Sequence, residues 1–100
     1  MGAKETVDTA VDGHKIAVFS KSYCPYCKAA KKSISELGVD DVVIFELDNL
    51  PDGTQIQEYL LEKTNQRTVP NIFISQTHVG GNDALQAALR NGKVKELLAK

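Results

Sequence analysis

The chain reads as a single α/β domain spanning residues 1–100, a four-stranded mixed sheet with helices on both faces, and three features predict this. Segments with apolar residues every three to four positions alternate with short β-branched runs over the first two thirds of the sequence, the pattern of strands joined through helices. Two later runs, Asn71-Ile72-Phe73-Ile74 and Thr77-His78-Val79, are separated only by Ser75-Gln76, which predicts an antiparallel hairpin with a tight turn. A hydrophobic content of 42% over 100 residues is enough for one core and too little for two.

Each element has a local reason. Val7, Ala10 and Val11 recur at helical spacing between Ala3 and Asp12, and Asp12-Gly13 is a stop signal, so the chain opens with a short amphipathic helix. Lys15 to Ser20 is rich in β-branched and aromatic residues and forms the first strand. Lys28 to Leu37 is helical, with Ala29, Ala30, Ile34 and Leu37 as its inward stripe, Lys28, Lys31, Lys32 and Glu36 turned to solvent, and Gly38 as its left-handed cap. Val42 to Leu47 is almost continuously apolar, which suits a strand buried on both faces and parallel to the first. Asp48 to Gly53 is a loop, and Thr54 is the expected N-cap of a helix through Thr64 that carries Ile56, Tyr59, Leu60 and Lys63 at a 3.6 period. After the hairpin, Gly80-Gly81 breaks the sheet, and Asn82 or Asp83 caps a helix with Ala84, Leu85, Ala88 and Leu89. Asn91-Gly92 then separates it from a last helix with Val94, Leu97 and Leu98. Parallel strands linked through a helix require a right-handed crossover, and the hairpin supplies antiparallel edges; this order is similar to the thioredoxin-like architecture.

The chemistry centres on Cys24-Pro25-Tyr26-Cys27, at the junction of the first strand and the second helix. The first turn of a helix has unpaired N–H groups and a partial positive charge, both of which favour a thiolate over a thiol. Cys24 is best placed to feel that field, Pro25 suits the first helical turn, and Cys27, one turn further in, is expected to be more covered and less acidic. The pair reads as a dithiol that cycles with a disulfide, Cys24 attacking and Cys27 resolving. Two buried apolar cysteines, a static disulfide or half of a zinc site are the other readings. Zinc would have only His14 and His78 to complete a four-ligand set, and neither has a second ligand beside it.

Composition sets bounds. A formal net charge of -1 gives no general electrostatic reason to bind nucleic acid or an anionic membrane. There is no apolar run of ~18 residues, and Met1 to Thr6 lacks the apolar core of a secretory signal, so the expectation is a soluble, cytoplasmic protein. Two cysteines in a reducing compartment point to catalysis or redox sensing before stapling.

Four motifs in order, Lys21 just before the cysteines, Cys24-Pro25-Tyr26-Cys27, Gln66-Arg67-Thr68-Val69-Pro70 and Gly80-Gly81-Asn82-Asp83, resemble the dithiol glutaredoxins over nearly the whole chain. Thioredoxins carry Trp before a Cys-Gly-Pro-Cys centre, and this chain has no Trp. The resemblance implies a glutathione-dependent oxidoreductase acting on glutathionylated or disulfide-containing proteins, served indirectly by glutathione reductase, monomeric and without a metal. It also implies that Thr68-Val69-Pro70 is a cis-proline loop whose Val69 peptide pairs strand-fashion with glutathione. Lys21, Gln57 and Arg67 would then hold the glycyl carboxylate. The amides of Asn82 and Asp83, following Gly81, would take the γ-glutamyl carboxylate, and the Asp83 side chain the ammonium. Lys21 would also acidify Cys24, and Tyr26 would shield the sulfur and touch glutathione, with Tyr23 beside it or in the core. Many members carry a further acidic residue where this chain has Ala84, which shifts weight onto Asp83. Competing readings are a thioredoxin-type reductase fed by a flavoprotein, a bridging [2Fe–2S] module, against which Pro25 resembles the form that does not bridge, and a redox sensor.

Overall fold

Burial selects the strand order. Ile16–Ser20 (β1) is buried at every position and takes the middle of the sheet, pairing in parallel with Val42–Glu46 (β2) and antiparallel with Asn71–Ile74 (β3). Thr77–Gly80 (β4) completes the order β2-β1-β3-β4, so the sheet is mixed as predicted. The computed structural model describes residues 2–100; Met1, the first residue of the stretch read for a leader, lies outside them. Five helices, α1 (Ala3–Gly13), α2 (Pro25–Ser35), α3 (Gly53–Thr64), α4 (Asn82–Arg90) and α5 (Lys93–Leu98), cover the sheet, and a single 3-10 turn, Leu47–Asn49, follows β2. Among the described residues no helix is long and apolar enough to cross a membrane.

Because side chains alternate along a strand, the central strands feed two cores. Ile16, Val18, Ile72 and Ile74 point to the face covered by α2, α4 and α5, where they meet Ala30, Ile34, Leu85 and Leu97. Ala17, Phe19 and Phe73 point to the other face, against Val7 and Val11 of α1 and Ile56 and Leu60 of α3. There Phe19 stacks on Phe45 at 5.4 Å between centroids and meets Phe73 edge-on at 6.1 Å. Each of these fully buried large side chains stabilises the fold by about 1.5–3 kcal/mol. Helices on both faces of a four-stranded mixed sheet make this the thioredoxin-like fold.

Five details differ from the sequence reading. The run at Val42 to Leu47 is an edge strand, paired on one side only, and Ile44 is 43% exposed. On α2 it is Cys27 that joins Ala30 and Ile34 in the buried stripe, while Ala29 faces solvent. Lys31 is not a solvated lysine but lies half-buried in an ion pair with Glu46 of β2. Helix α3 starts at Gly53 with Asp52 at its N-cap, not at Thr54. The cause is tertiary: a Cβ on Gly53 would stand 1.9 Å from the Leu47 carbonyl oxygen, so the helix can enter here only on glycine. Likewise Gly81 is the N-cap of α4, which makes Asn82 and Asp83 its first two helical residues rather than its caps.

Candidate active site

The antiparallel register of β1 with β3 places Phe19 opposite Asn71, and that of β3 with β4 places Ile72 opposite Gly80. The end of β1, the start of β3 and the end of β4 therefore share one rim of the sheet. Three segments far apart in sequence meet there: the cysteines after β1, the Val69–Pro70 peptide before β3, which is cis, and Gly81 to Asp83 after β4.

Cys24 is the N-cap of α2, and its sulfur accepts the Cys27 N–H at 3.3 Å, a bond that a helix N-terminus offers to any acceptor seated there. The approach to it is fixed twice. The Cys24 N–H donates to the Lys21 carbonyl at 3.1 Å, and Asp48 accepts the Ser22 N–H at 2.9 Å together with the Ser22 hydroxyl. The sulfur reaches across to the Val69 carbonyl at 3.9 Å, so the nucleophile candidate lies against the cis-proline loop. Partial burial opposes ionisation of Cys24, but hydrogen bonds from Cys27 and from the Tyr26 N–H, with the positive charge of Lys31, outweigh it and bring the thiol below its usual value. Cys27 is fully buried, and that burial pushes its thiol up. Both are free thiols. Two sulfurs three residues apart thus differ in acidity because one caps the helix and the other sits inside it.

Beside Cys24 runs an open groove of about 500 Å³, within the range of small-molecule sites. Thr68, Val69 and Pro70 form one side, Gly81, Asn82 and Asp83 the other, and Tyr26, 66% exposed, stands at the cysteine end. The helix α4 opens here, so the N–H groups of Asn82 and Asp83 have no intrahelical acceptor. The Val69 N–H likewise has no hydrogen-bond partner among the described residues.

The remaining sequence candidates lie at the margins. Gln57 and Arg67 line a separate depression of about 220 Å³, and the Gln57 amide donates to the Arg67 carbonyl at 2.9 Å. Lys21 lines neither hollow; its charge acts on Asp48, and the cation that helps to acidify Cys24 is Lys31. Tyr23 is 66% exposed and so is not a core aromatic. The histidines are occupied elsewhere: His14 pairs with Asp41 at 2.7 Å at the opposite end of β1, and His78 faces Asn71 at 2.9 Å. Among the described residues no three His, Cys, Asp or Glu side chains cluster as metal ligands would.

Three contributors escape the sequence reading. Gln66 lines the groove and donates to two carbonyls of the cis-proline loop; its place in the motif was visible, its direction was not. Lys31 was hidden in a lysine cluster, and the Ser22–Asp48 clasp spans 26 residues.

Known proteins share this arrangement. The sequence profile of the glutaredoxin family matches residues 16–79. The chain is 48% identical to glutaredoxin-1 of Rhizophagus irregularis over 96% of its own length and 94% of that protein's. It is 43% identical to glutaredoxin-C2 of Arabidopsis thaliana over 98% and 87%. The crystal structure of a buckwheat glutaredoxin–glutathione complex superposes with a TM-score of 0.91 at 41% identity, covering 97% of this chain and 87% of that one. A family match over more than half of its length and relatives of 41–48% identity over nearly all of it show that the chain belongs to the glutaredoxin family and is a thiol–disulfide oxidoreductase.

Proposed function

We propose that this protein uses glutathione to reduce protein–glutathione mixed disulfides and protein disulfides, in the cytoplasm and as a monomer. The observation that carries the reading is the contact of an acidified Cys24 with a groove whose two sides present unpaired N–H groups, at Val69 and at Asn82 and Asp83. Glutathione is an extended anion with a carboxylate at each end and one ammonium. Its cysteinyl peptide pairs with Val69, its γ-glutamyl carboxylate with the amides that open α4, and its ammonium with the Asp83 carboxylate. Thr68, Pro70 and Gly81 shape the walls, Tyr26 covers the sulfur, and Lys21, Gln57 and Arg67 lie toward the glycyl end. A relative 41% identical was solved with glutathione bound, which supports the choice of ligand.

In the reaction the Cys24 thiolate attacks the glutathionyl sulfur of the mixed disulfide, and the substrate protein leaves as a thiolate that takes up a proton. The thiolate of a second glutathione then attacks the glutathionyl sulfur on Cys24, releasing glutathione disulfide and restoring the Cys24 thiolate. With a protein disulfide, Cys24 attacks one substrate sulfur and the other leaves as a thiolate that takes up a proton. Cys27 then loses its proton and attacks Cys24, expelling the first substrate sulfur as a second thiol and closing the Cys24–Cys27 bond, which two glutathiones reopen in turn with release of glutathione disulfide.

The test is glutathione-dependent reduction of a small glutathione mixed disulfide, coupled to glutathione reductase, for the parent, Cys24→Ser and Cys27→Ser. Turnover is expected to vanish with Cys24 and to survive loss of Cys27. Equal inactivation of both variants, or an inactive parent, would overturn the assignment.

A further inference from the structure

We propose that Gln66 is a positioning residue for the groove, tying its two walls together and setting how the Val69 peptide is presented. It rests on the reading that the groove holds glutathione. The Gln66 carboxamide nitrogen donates one hydrogen to the Thr68 carbonyl at 2.9 Å and the other to the Pro70 carbonyl at 2.9 Å. These are the carbonyls on either side of Val69, so one side chain occupies both flanking acceptors and leaves the Val69 N–H and carbonyl to face other neighbours. Its carbonyl meets Cys24, and its N–H is unpaired among the described residues.

The same carboxamide lies against the opposite wall. A Cβ on Gly80 would come 3.7 Å from its oxygen, and one on Gly81 3.9 Å from its nitrogen. Gly80 has φ +121, a conformation that side chains rarely adopt, so a side chain at that position cannot fill this space. The base of Gln66 is held in turn, its own N–H donating to the Thr64 hydroxyl at 3.2 Å while that hydroxyl donates to the Leu60 carbonyl at 2.7 Å. A neutral side chain anchored at the end of α3 thereby fixes the cis-proline loop, beside the glycines that lead into α4. The Gln66 side chain hydrogen-bonds only to loop carbonyls and not to the reacting sulfur, so the effect is on fit and not on the nucleophile.

Two variants separate the hydrogen bonds from the bulk: Gln66→Met keeps the length and loses the donor, and Gln66→Ala loses both. Both are expected to raise the KM for the glutathione mixed disulfide about tenfold, the loss of two ordinary hydrogen bonds seen partly in binding. The kcat should stay within about twofold, and the pH dependence of Cys24 alkylation should not move, because neither the helix N-terminus nor Lys31 is touched. A second readout is independent of turnover: amide hydrogen exchange should quicken in both variants at Thr68, Val69 and Gly80 to Asn82, and not in β1. Unchanged exchange there, or an unchanged KM in folded variants of an active parent, would overturn the role of Gln66. An inactive parent with quickened exchange in the variants would leave the brace standing and overturn glutathione as its purpose.

Discussion

Asp8 offers the sharpest physical test of how the helical layer on one face is held. From α1 it accepts hydrogen bonds from Lys4 at 2.9 Å, the Tyr59 hydroxyl at 2.9 Å and Lys63 at 3.1 Å, the last two from α3. The Lys4 bond first, which with those from Tyr59 and Lys63 outweighs the opposing cost of burial, holds its carboxyl at about 2, below the ordinary 3.8. At about 1.4 kcal/mol per unit this would amount to over 2 kcal/mol. The carboxylate keeps 28% of its side-chain surface in solvent, and screening reduces the contribution to about 1 kcal/mol. Asp8→Asn should therefore lower Tm at pH 7 by about 4–8 °C. The sign of the pH dependence follows from the lowered value. The unfolded chain takes up the proton first, so the contribution is complete above 3.8 and fades as pH falls toward 2. Thermal unfolding of parent and variant, followed by circular dichroism from pH 7 down to pH 2.5, should show the gap closing over that range. A gap of the same size at both ends would mean that Asp8 acts through packing and not through its charge.

Iodoacetamide should label Cys24 well before Cys27 at neutral pH, since one thiol is lowered and the other raised, and labelling both at equal rates would contradict the asymmetry. Lys31→Met should shift the Cys24 alkylation profile to higher pH, whereas Lys32→Met, on the exposed face of the same helix, should not; matching profiles for the two would remove Lys31 from the site. Gly53→Ala should destabilise by about 1–3 kcal/mol, because its Cβ would meet backbone oxygen rather than a side chain that can swing away, and an unchanged urea midpoint would refute the close approach.

What the sequence revealed, and what it withheld, follows from the range of each interaction. The 3.6 and 2 periodicities are local, so element order and the hairpin at Ser75-Gln76 were legible, while the single core expected from composition is divided by the sheet into two. The position of Val42–Glu46 was not, since an apolar run satisfies an edge strand covered by Lys31 and Phe19 as well as a central one. Helix starts failed for the same reason: Asp52, Thr54, Asn82 and Asp83 all have capping chemistry, and at α3 the choice fell to Gly53 through its close approach to Leu47. In the site, the Cys24 and Cys27 pair was legible because its signal lies within four residues. The partners that tune and support it, Lys31, Asp48 and Gln66, were not, because a side chain's direction depends on what it meets across the fold.

The topology also explains why this chemistry occupies this rim. A parallel β1–β2 pair sends the chain from the end of β1 into a helix that must return along the sheet, so α2 begins at the rim with its free N–H groups beside Cys24. The antiparallel β3 begins at that same rim, so the segment before it crosses in front of the helix N-terminus, and the antiparallel β4 ends there, so α4 also opens toward the same space. One rim thus gathers two helix N-termini and a free loop amide, all favouring negative charge. One helix end stabilises the sulfur of Cys24, and the other opens on the groove. An acidified thiol beside a groove that opens on a second helix N-terminus is therefore a consequence of strand order, and a residue such as Lys31 adds to a field that the backbone has already set.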